Sequence, residues 1–329
     1  MQTVNLAHLP NVSRLTLGGG GLGRLWGETT LDEAVATIHA AVDAGITLID
    51  TAPSYRDCEQ VIGEAFQGAL PAHVRITTKC QLGEPPQRES GPGEVAERME
   101  ASLDASLAAM RIPRADLFFL HSNIRPDDYA FARFDERRTT FATPWSLYVN
   151  EVVPAMEDLK RRGRIGGWGI TGVGVPGTIL DSLAHDPKPD AVQAVANLMD
   201  SAGGMRSFAE PTRPREIIAA ARARGVGVLG IRAVQAGALT AAVDRALKES
   251  HPEAADWRRA APFRALCAEL GVDPALLAHR YALSMEGVDT VILGVKNRGE
   301  LAQCVQAEAM GPLPSDLRGR IDALGLAEA

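Results

Sequence analysis

The segment ITLIDTAPSY, at residues 46–55, is a short apolar run that ends on a carboxylate and leads into a small polar turn and a tyrosine. A run of this length between a glycine and a proline predicts a strand that is buried on both faces. Residues 30–44 have helical spacing, and a helix that precedes a buried strand favours a parallel α/β arrangement. In that arrangement the loops after the strands carry the chemistry, so Asp50 and Tyr55 are the first candidate functional residues. The structural alternative is a helix-capping aspartate and a packed surface tyrosine.

A strand followed by a helix recurs along the rest of the chain. Apolar runs predict strands at residues 14–18, 46–50, 75–79, 116–121, 164–171, 191–195, 226–231 and 290–294. Helical spacing predicts helices at residues 30–44, 59–66, 94–110, 152–162, 216–224 and 274–284. Eight strands without a Pro/Ser-rich linker between them predict a single α/β domain over residues 1–329. The expected fold is a (β/α)8 TIM barrel with long active-site loops at its C-terminal face.

The composition argues against several classes of function. A net charge of −7 disfavours nucleic-acid binding, because phosphate recognition needs a basic face. No apolar run approaches the ~20 residues that span a bilayer, and the first residues lack the basic start and apolar core of a secretory signal. The four cysteines show no metal-site spacing and predict reduced thiols. We therefore expect a cytoplasmic protein with no metal, no nucleic acid and no membrane partner.

Three glycines early in the chain formally satisfy the dinucleotide motif GxGxxG, namely Gly18, Gly20 and Gly23. That motif should open a helix directly, but here the first helix-start signal is Thr30. We therefore expect the glycines to let the backbone pass close to a ligand or a neighbouring loop.

Three predicted strand-to-helix connections are unusually long, at residues 122–148, 197–211 and 232–262. Long connections in a compact domain are usually functional or mobile. All three follow the C-terminal ends of their strands, where a barrel places its active site. The first is rich in aromatic residues, which predicts that it contributes to a substrate pocket.

Titratable side chains stand at the ends of three successive predicted strands. Asp50 ends the second strand and Tyr55 follows it, Lys79 ends the third strand, and His121 ends the fourth. Charged groups on buried strands are costly unless they pair, and parallel strands of a barrel end at one mouth. The sequence therefore predicts that these four side chains form one cluster. Taken singly, the lysine is explained as a surface residue and the histidine as a core residue.

The motifs around these residues resemble the aldo-keto reductase family over essentially the whole chain. The similar segments are ITLIDTAPSY at 46–55, ITTK at 76–79, DLFFLH at 116–121, GRIGGWGIT at 163–171 and VQAVANLMD at 192–200. The resemblance implies a barrel oxidoreductase of the alcohol dehydrogenase type that uses a nicotinamide cofactor. It also implies a catalytic tetrad of Asp50, Tyr55, Lys79 and His121.

The chemistry of that family suits these four residue types. Reducing a carbonyl with a nicotinamide hydride leaves negative charge on oxygen, which needs a proton and a preorganised donor. A phenol has a pKa of about 10, so Tyr55 is protonated at neutral pH and suits the acid role. A cationic Lys79 would lower that pKa, and Asp50 would hold the lysine charged. His121 would donate to the carbonyl oxygen and orient the substrate.

The resemblance also implies a nucleotide site that departs from the family pattern. The implied cofactor-binding residues are Thr171, Gln193, Ile231, Arg232, Gly237, Leu239, Gly294, Lys296, Glu300 and Cys304. Gln193 matches the glutamine that binds the carboxamide, whereas Ile231 replaces an aromatic that stacks on nicotinamide. Lys296 matches an arginine, and a cation there favours a 2′-phosphate and hence NADP(H). Glu300, a carboxylate near the ribose, leaves NAD(H) possible.

We expect a substrate pocket lined by Trp26, Tyr129 and Trp145 beside the tetrad, which suits a small-molecule carbonyl or sugar. Arg232, at a strand end, is a candidate for binding an anionic group. The principal prediction is reversible reduction of an aldehyde or ketone, or oxidation of an alcohol or sugar hemiacetal. One alternative is a catalytically weak nucleotide-sensing interaction subunit, because several cofactor residues depart from the pattern. Another is an aldolase with a Schiff base at Lys79, which needs a neutral lysine.

Overall fold

The computed structural model of this chain describes residues 1–83 and 93–328. Eight parallel strands pair in chain order and the last pairs with the first, so they close into a barrel. The strands are β1 (Leu15–Gly18), β2 (Leu48–Asp50), β3 (Arg75–Cys80), β4 (Ala115–Leu120), β5 (Ile165–Thr171), β6 (Ala191–Val195), β7 (Gly227–Ile231) and β8 (Thr290–Leu293). Each strand overlaps its predicted range, and the predicted (β/α)8 fold class is confirmed.

Helices connect successive barrel strands and follow the last one. They are α1 (Leu31–Asp43), α2 (Cys58–Phe66), α3 (Glu94–Met110), α4 (Val153–Arg161), α5 (Pro176–Ala184), α6 (Pro214–Ala223), α7 (Pro252–Arg259), α8 (Ala261–Leu270), α9 (Pro274–Leu283), α10 (Arg298–Ala309) and α11 (Ser315–Asp322). The predicted helices correspond to α1–α4, α6 and α9, and the other helices were not predicted. Helix α1 begins where expected because Thr30 Oγ1 accepts a hydrogen bond from the backbone N–H of Glu33 at 3.1 Å.

A hairpin precedes the barrel, and the sequence did not predict it. Its antiparallel strands are Thr3–Leu6 and Leu9–Ser13. Leu6, Leu9 and Val12 form a buried cluster with five apolar residues of four barrel strands, namely Leu48, Leu117, Phe119, Ala191 and Leu229. The hairpin covers the N-terminal end of the barrel, which leaves the C-terminal end for a ligand.

The early glycine run lets three loops approach one another closely. A single helical turn, Gly19–Leu22, follows β1 directly, so the expectation that the first helical segment starts after Thr30 was wrong. A Cβ atom at Gly23 would lie 1.9 Å from the carbonyl oxygen of Tyr55, and one at Gly21 would lie 2.0 Å from that of Val295. As expected, the glycines are needed for the close passage of the backbone beside neighbouring loops.

The three long connections contain local structure. In the first, Asn123–Arg125 pairs with Ala142–Pro144. The second contains a 3₁₀ turn at Gly203–Met205, and the third contains helix α7. Among the residues described, no helix has the length and apolar character needed to cross a membrane.

Candidate active site

A buried ion pair lies at the C-terminal ends of β2 and β3. The Lys79 side chain is 0% exposed, and its Nζ atom lies 2.7 Å from Asp50 Oδ2. The same ammonium donates to the carbonyl oxygen of Thr51 at 2.9 Å. Burial alone lowers the pKa of Lys79, but the Asp50 carboxylate, with smaller contributions from Tyr55, opposes this and the pKa stays above its ordinary value. The lysine is therefore cationic at neutral pH.

The second carboxylate oxygen of Asp50 is held by two further donors. Thr77 Oγ1 and Gln193 Nε2 each donate to Asp50 Oδ1 at 2.6 Å. Three donors fix the carboxylate, which compensates for the loss of water around it. Because Gln193 donates through Nε2, its Oε1 is left as an acceptor for an amide.

Tyr55 and His121 lie beside this ion pair, as predicted. The ammonium of Lys79 is 4.6 Å from the centroid of the Tyr55 ring, and the rings of Tyr55 and His121 meet edge to face at 5.8 Å. Burial raises the pKa of the Tyr55 phenol, and the charge of Lys79 opposes that rise. The cluster therefore holds a protonated phenol next to a fixed cation.

His121 is a neutral imidazole in this setting. Burial, and then the charge of Lys79, lowers the pKa of His121 to about 3. Ser54 Oγ lies 3.4 Å from His121 Nδ1. A neutral imidazole carries one donor and one acceptor nitrogen, so a donating Ser54 leaves Nε2–H as the donor of the ring.

A cavity of 450 Å³ opens at this mouth of the barrel. Thirteen of the predicted site residues line it, namely Trp26, Asp50, Tyr55, His121, Thr171, Gln193, Ile231, Arg232, Gly237, Gly294, Lys296, Glu300 and Cys304. Lys79 is fully buried and is not part of the cavity wall. The cavity has the size of ordinary small-molecule sites.

Besides Lys79, three predicted site residues are not part of the cavity wall. Leu239 is 0% exposed and belongs to the hydrophobic core. The Tyr129 hydroxyl donates to Glu210 at 2.5 Å, and Trp145 packs against Tyr148 and His185. Tyr129 and Trp145 contact residues outside the cavity, so the connection at 122–148 does not present these two aromatic rings to it.

Met205, which the sequence did not single out, lines the cavity and is 38% exposed. It stands at the end of the 3₁₀ turn in the connection after β6. Trp26 lies beside the glycine loops, because a Cβ atom at Gly20 would be 2.7 Å from its Nε1 and one at Gly294 would be 3.7 Å away. The loops after β1 and β6 thus contribute to the apolar wall, together with Ile231, Val234 and Val295 at the ends of β7 and β8 or just after them, whereas no residue of 122–148 lines the cavity.

Arg232 does not offer a free cation to an anionic substrate. Its guanidinium is 8% exposed and donates to Glu253 Oε1 at 3.0 Å. Its Nε donates to Gln235 Oε1 at 3.0 Å. Arg232 lines the cavity, and its ion pair with Glu253 connects the end of β7 to helix α7.

The loops after β7 and β8, with helices α9 and α10, supply further polar groups of the cavity. Lys296 pairs with Asp244, and its Nζ lies 3.3 Å from Glu300 Oε1. Cys304 Sγ lies 3.6 Å from His279 Nε2. Asp244 was not predicted, because nothing in its local sequence indicates that it reaches the loop after β8.

These residues fit a nicotinamide dinucleotide. Gln193 Oε1 is an acceptor suited to a carboxamide, and Lys296 is a cation suited to a phosphate. Gly237 has a φ of +92°, and a Cβ atom there would meet no atom closer than 3.9 Å, so its backbone is open to close approach by a ligand.

A closed (β/α)8 barrel with an Asp–Tyr–Lys–His cluster at its C-terminal mouth is typical of a carbonyl oxidoreductase. Residues 14–325 match the Aldo/keto reductase family, and the chain belongs to that family. Members of the family use NADP(H) or NAD(H).

Individual relatives are distant but cover nearly the whole chain. The L-galactose dehydrogenase of Arabidopsis thaliana is 25% identical over 301 residues, which cover 90% of this chain and 84% of that protein. The holo form of aldo-keto reductase AKR11C1 from Bacillus halodurans has a TM-score of 0.70 and 22% identity, covering 98% of this chain and 96% of that one. An aldo-keto reductase from Klebsiella pneumoniae in complex with NADPH has a TM-score of 0.67 and 19% identity, covering 99% and 96%. The two solved structures support the fold.

Proposed function

We propose that the protein catalyses the reversible NAD(P)H-dependent reduction of an aldehyde or ketone, or the oxidation of an alcohol or sugar hemiacetal, with Tyr55 as proton donor. The observation that carries this proposal is the cationic, fully buried Lys79, held by Asp50 beside the phenol of Tyr55. A neutral small molecule is the expected substrate, because Arg232 is already paired with Glu253. We place the activity in the cytoplasm, an expectation supported by four free, buried cysteines.

The four side chains divide the proton chemistry among them. Tyr55 Oη gives its proton to the developing alkoxide, and the fixed charge of Lys79 stabilises the phenolate that remains. Asp50 keeps Lys79 charged and in place, and neutral His121 donates from Nε2 to the substrate oxygen. A bound nicotinamide cofactor supplies the hydride. In the oxidative direction the phenolate of Tyr55 accepts the proton.

We infer that NADP(H) is the favoured cofactor and that NAD(H) is also accepted. Lys296 supports a 2′-phosphate, and Glu300 supports a free ribose hydroxyl. Gln193 would bind the carboxamide through Oε1, while its Nε2 stays on Asp50. The nicotinamide ring would meet the aliphatic side chain of Ile231 instead of an aromatic ring.

The oxidation of a sugar hemiacetal is the second candidate direction. The L-galactose dehydrogenase of Arabidopsis thaliana is similar over most of its length, which favours a sugar substrate. The aldolase alternative is disfavoured, because the ammonium of Lys79 is paired with Asp50 and a protonated amine cannot attack a carbonyl. The nucleotide-sensing alternative predicts nucleotide binding without turnover.

Tyr55→Phe tests the proposal. We expect turnover with a panel of aldehydes and aldoses to fall by about 10²–10⁴-fold, because the proton donor is lost. The affinity for NADPH, measured by quenching of tryptophan fluorescence, should stay within twofold. Tyr129→Phe is the matched control, because its hydroxyl donates to Glu210 outside the cavity and its loss should leave turnover nearly unchanged. Turnover within tenfold of wild type in Tyr55→Phe would refute the assignment of the proton donor.

A further inference from the structure

Six side chains of alternating charge form a continuous chain of ion pairs from the end of β7 to the start of α10. In spatial order they are Arg232, Glu253, Arg245, Asp244, Lys296 and Glu300. Five of the six line the cavity, and Glu253 is the exception. This series of ion pairs runs from the connection at 232–262 to the loop after β8, so it joins two separate walls of the nucleotide site.

Lys296 connects the two walls, because its ammonium pairs with Asp244 from one wall and with Glu300 from the other. The two carboxylates differ in how firmly they are held. Glu300 belongs to the loop of Lys296 itself: its Oε2 accepts from the backbone N–H of Lys296 at 2.9 Å. Its own backbone N–H donates to the helix-capping Asn297 at 2.9 Å. Glu300 is therefore fixed by the local geometry of the loop and the helix start.

Asp244 reaches Lys296 from the other wall. It is 42% exposed, whereas the Lys296 side chain is 16% exposed. Arg245 NH1 lies 3.3 Å from Asp244 Oδ1, so the carboxylate has a second cation on its own segment. Breaking its contact with Lys296 would leave Asp244 paired with Arg245. Of the two carboxylates, Asp244 is therefore the one that can release the Lys296 ammonium to a ligand.

We propose that Asp244 is a specificity-determining residue that competes with a 2′-phosphate for Lys296 and so limits the preference for NADP(H) over NAD(H). The inference rests on the proposed function, because it requires that a dinucleotide occupies this cavity with its adenosine ribose near Lys296.

The physical reason is the difference in charge between the two cofactors. A 2′-phosphate carries up to two negative charges and needs the ammonium that Asp244 occupies, and it would also meet the repulsion of that carboxylate. A free 2′-hydroxyl is uncharged, so it does not need the Lys296 ammonium and is not repelled by Asp244. The ion pair between Asp244 and Lys296 then stays intact. Neutralising Asp244 should therefore favour NADP(H) selectively.

Asp244→Asn tests the inference by binding and not by turnover. We expect the Kd for NADPH to fall by about tenfold, in line with the removal of one nearby like charge, while the Kd for NADH stays within twofold. Both are measured by quenching of tryptophan fluorescence, for which Trp26 in the cavity wall is a suitable reporter. The Kd for 2′,5′-ADP should fall in parallel with the Kd for NADPH, because this nucleotide carries the 2′-phosphate without nicotinamide.

Glu249→Gln is the matched control. It removes one negative charge from the same connection, and Glu249 is exposed outside the nucleotide cavity. An equal gain in NADPH affinity in this control would show a general charge effect and overturn the inference. Unchanged or equally changed affinities for NADPH and NADH in Asp244→Asn would overturn it too, while leaving the proposed function standing. If neither nucleotide bound the wild-type protein below millimolar concentration, both proposals would fall.

Discussion

Replacing Asp50 by asparagine should expose the energetic dependence of Lys79 on its counter-ion. The substitution keeps the size of the side chain but removes its charge and turns an amide group towards the ammonium. Lys79 would remain fully buried, with the carbonyl oxygen of Thr51 still accepting a hydrogen bond from its ammonium. Removing one member of a buried ion pair costs about 3–5 kcal/mol, and we expect Asp50→Asn to lower the free energy of unfolding by that amount.

The companion substitutions make this expectation quantitative. In Lys79→Met the carboxylate of Asp50 keeps its hydrogen bonds from Thr77 and Gln193, so the loss of stability should be smaller. In the double variant an asparagine oxygen still accepts from those donors, and no buried charge is left without a partner. The double variant should therefore be less destabilised than the sum of the single variants, with a coupling free energy of about 2 kcal/mol.

The effect of pH has a defined direction. In the wild type the pKa of Lys79 is raised, so the stability it contributes is fully present below the pKa of an unfolded lysine and is lost above it. In Asp50→Asn burial is no longer opposed by the carboxylate and lowers the pKa of Lys79. The folded variant then sheds its proton more readily than the unfolded chain, and its stability rises with pH. The difference in free energy of unfolding between the wild type and Asp50→Asn should therefore become smaller from pH 7 to pH 10.

The assay is urea unfolding followed by circular dichroism, at several pH values and without nucleotide. The slope of the free energy against urea must agree among the four proteins before their midpoints are compared. A loss below about 1 kcal/mol in Asp50→Asn at pH 7, or a gap that widens with pH, would refute the buried ion-pair reasoning.

Three further predictions concern the site. Lys296→Glu should weaken NADPH binding by at least about tenfold and NADH binding much less, because it reverses the charge beside the 2′-phosphate; equal losses in fluorescence titrations would contradict this. The pKa of His121 is lowered to about 3, so kcat/KM should show no break near pH 6.5 from this residue. A break there that disappears in His121→Gln would contradict a neutral imidazole. Gly23→Ala should lower both turnover and thermal stability, because its Cβ atom would lie 1.9 Å from the Tyr55 carbonyl oxygen; unchanged kinetics and melting temperature would disprove that constraint.

The sequence alone was sufficient for the barrel and for the central cluster. Strand and helix periodicity are local properties, and the rule that catalytic groups follow the C-terminal ends of parallel strands placed Asp50, Lys79 and His121 together. The structure brings these residues together: Lys79 Nζ lies 2.7 Å from Asp50 Oδ2, and the ring of His121 meets that of Tyr55 edge to face. Helix α8 was not predicted, although its buried residues Phe263, Leu266 and Cys267 have helical spacing.

The tertiary structure decided which side chains of the long connections face the cavity. Sequence composition favoured the aromatics of 122–148, but Tyr129 and Trp145 pack elsewhere, and Met205 takes a place in the wall. It also decided the partners of the charged residues: Arg232 is neutralised by Glu253, and Asp244 reaches Lys296 across 52 positions of the chain. Contacts between distant segments depend on the three-dimensional paths of the loops over the barrel. Local sequence patterns report only on neighbouring residues, so they do not predict these contacts.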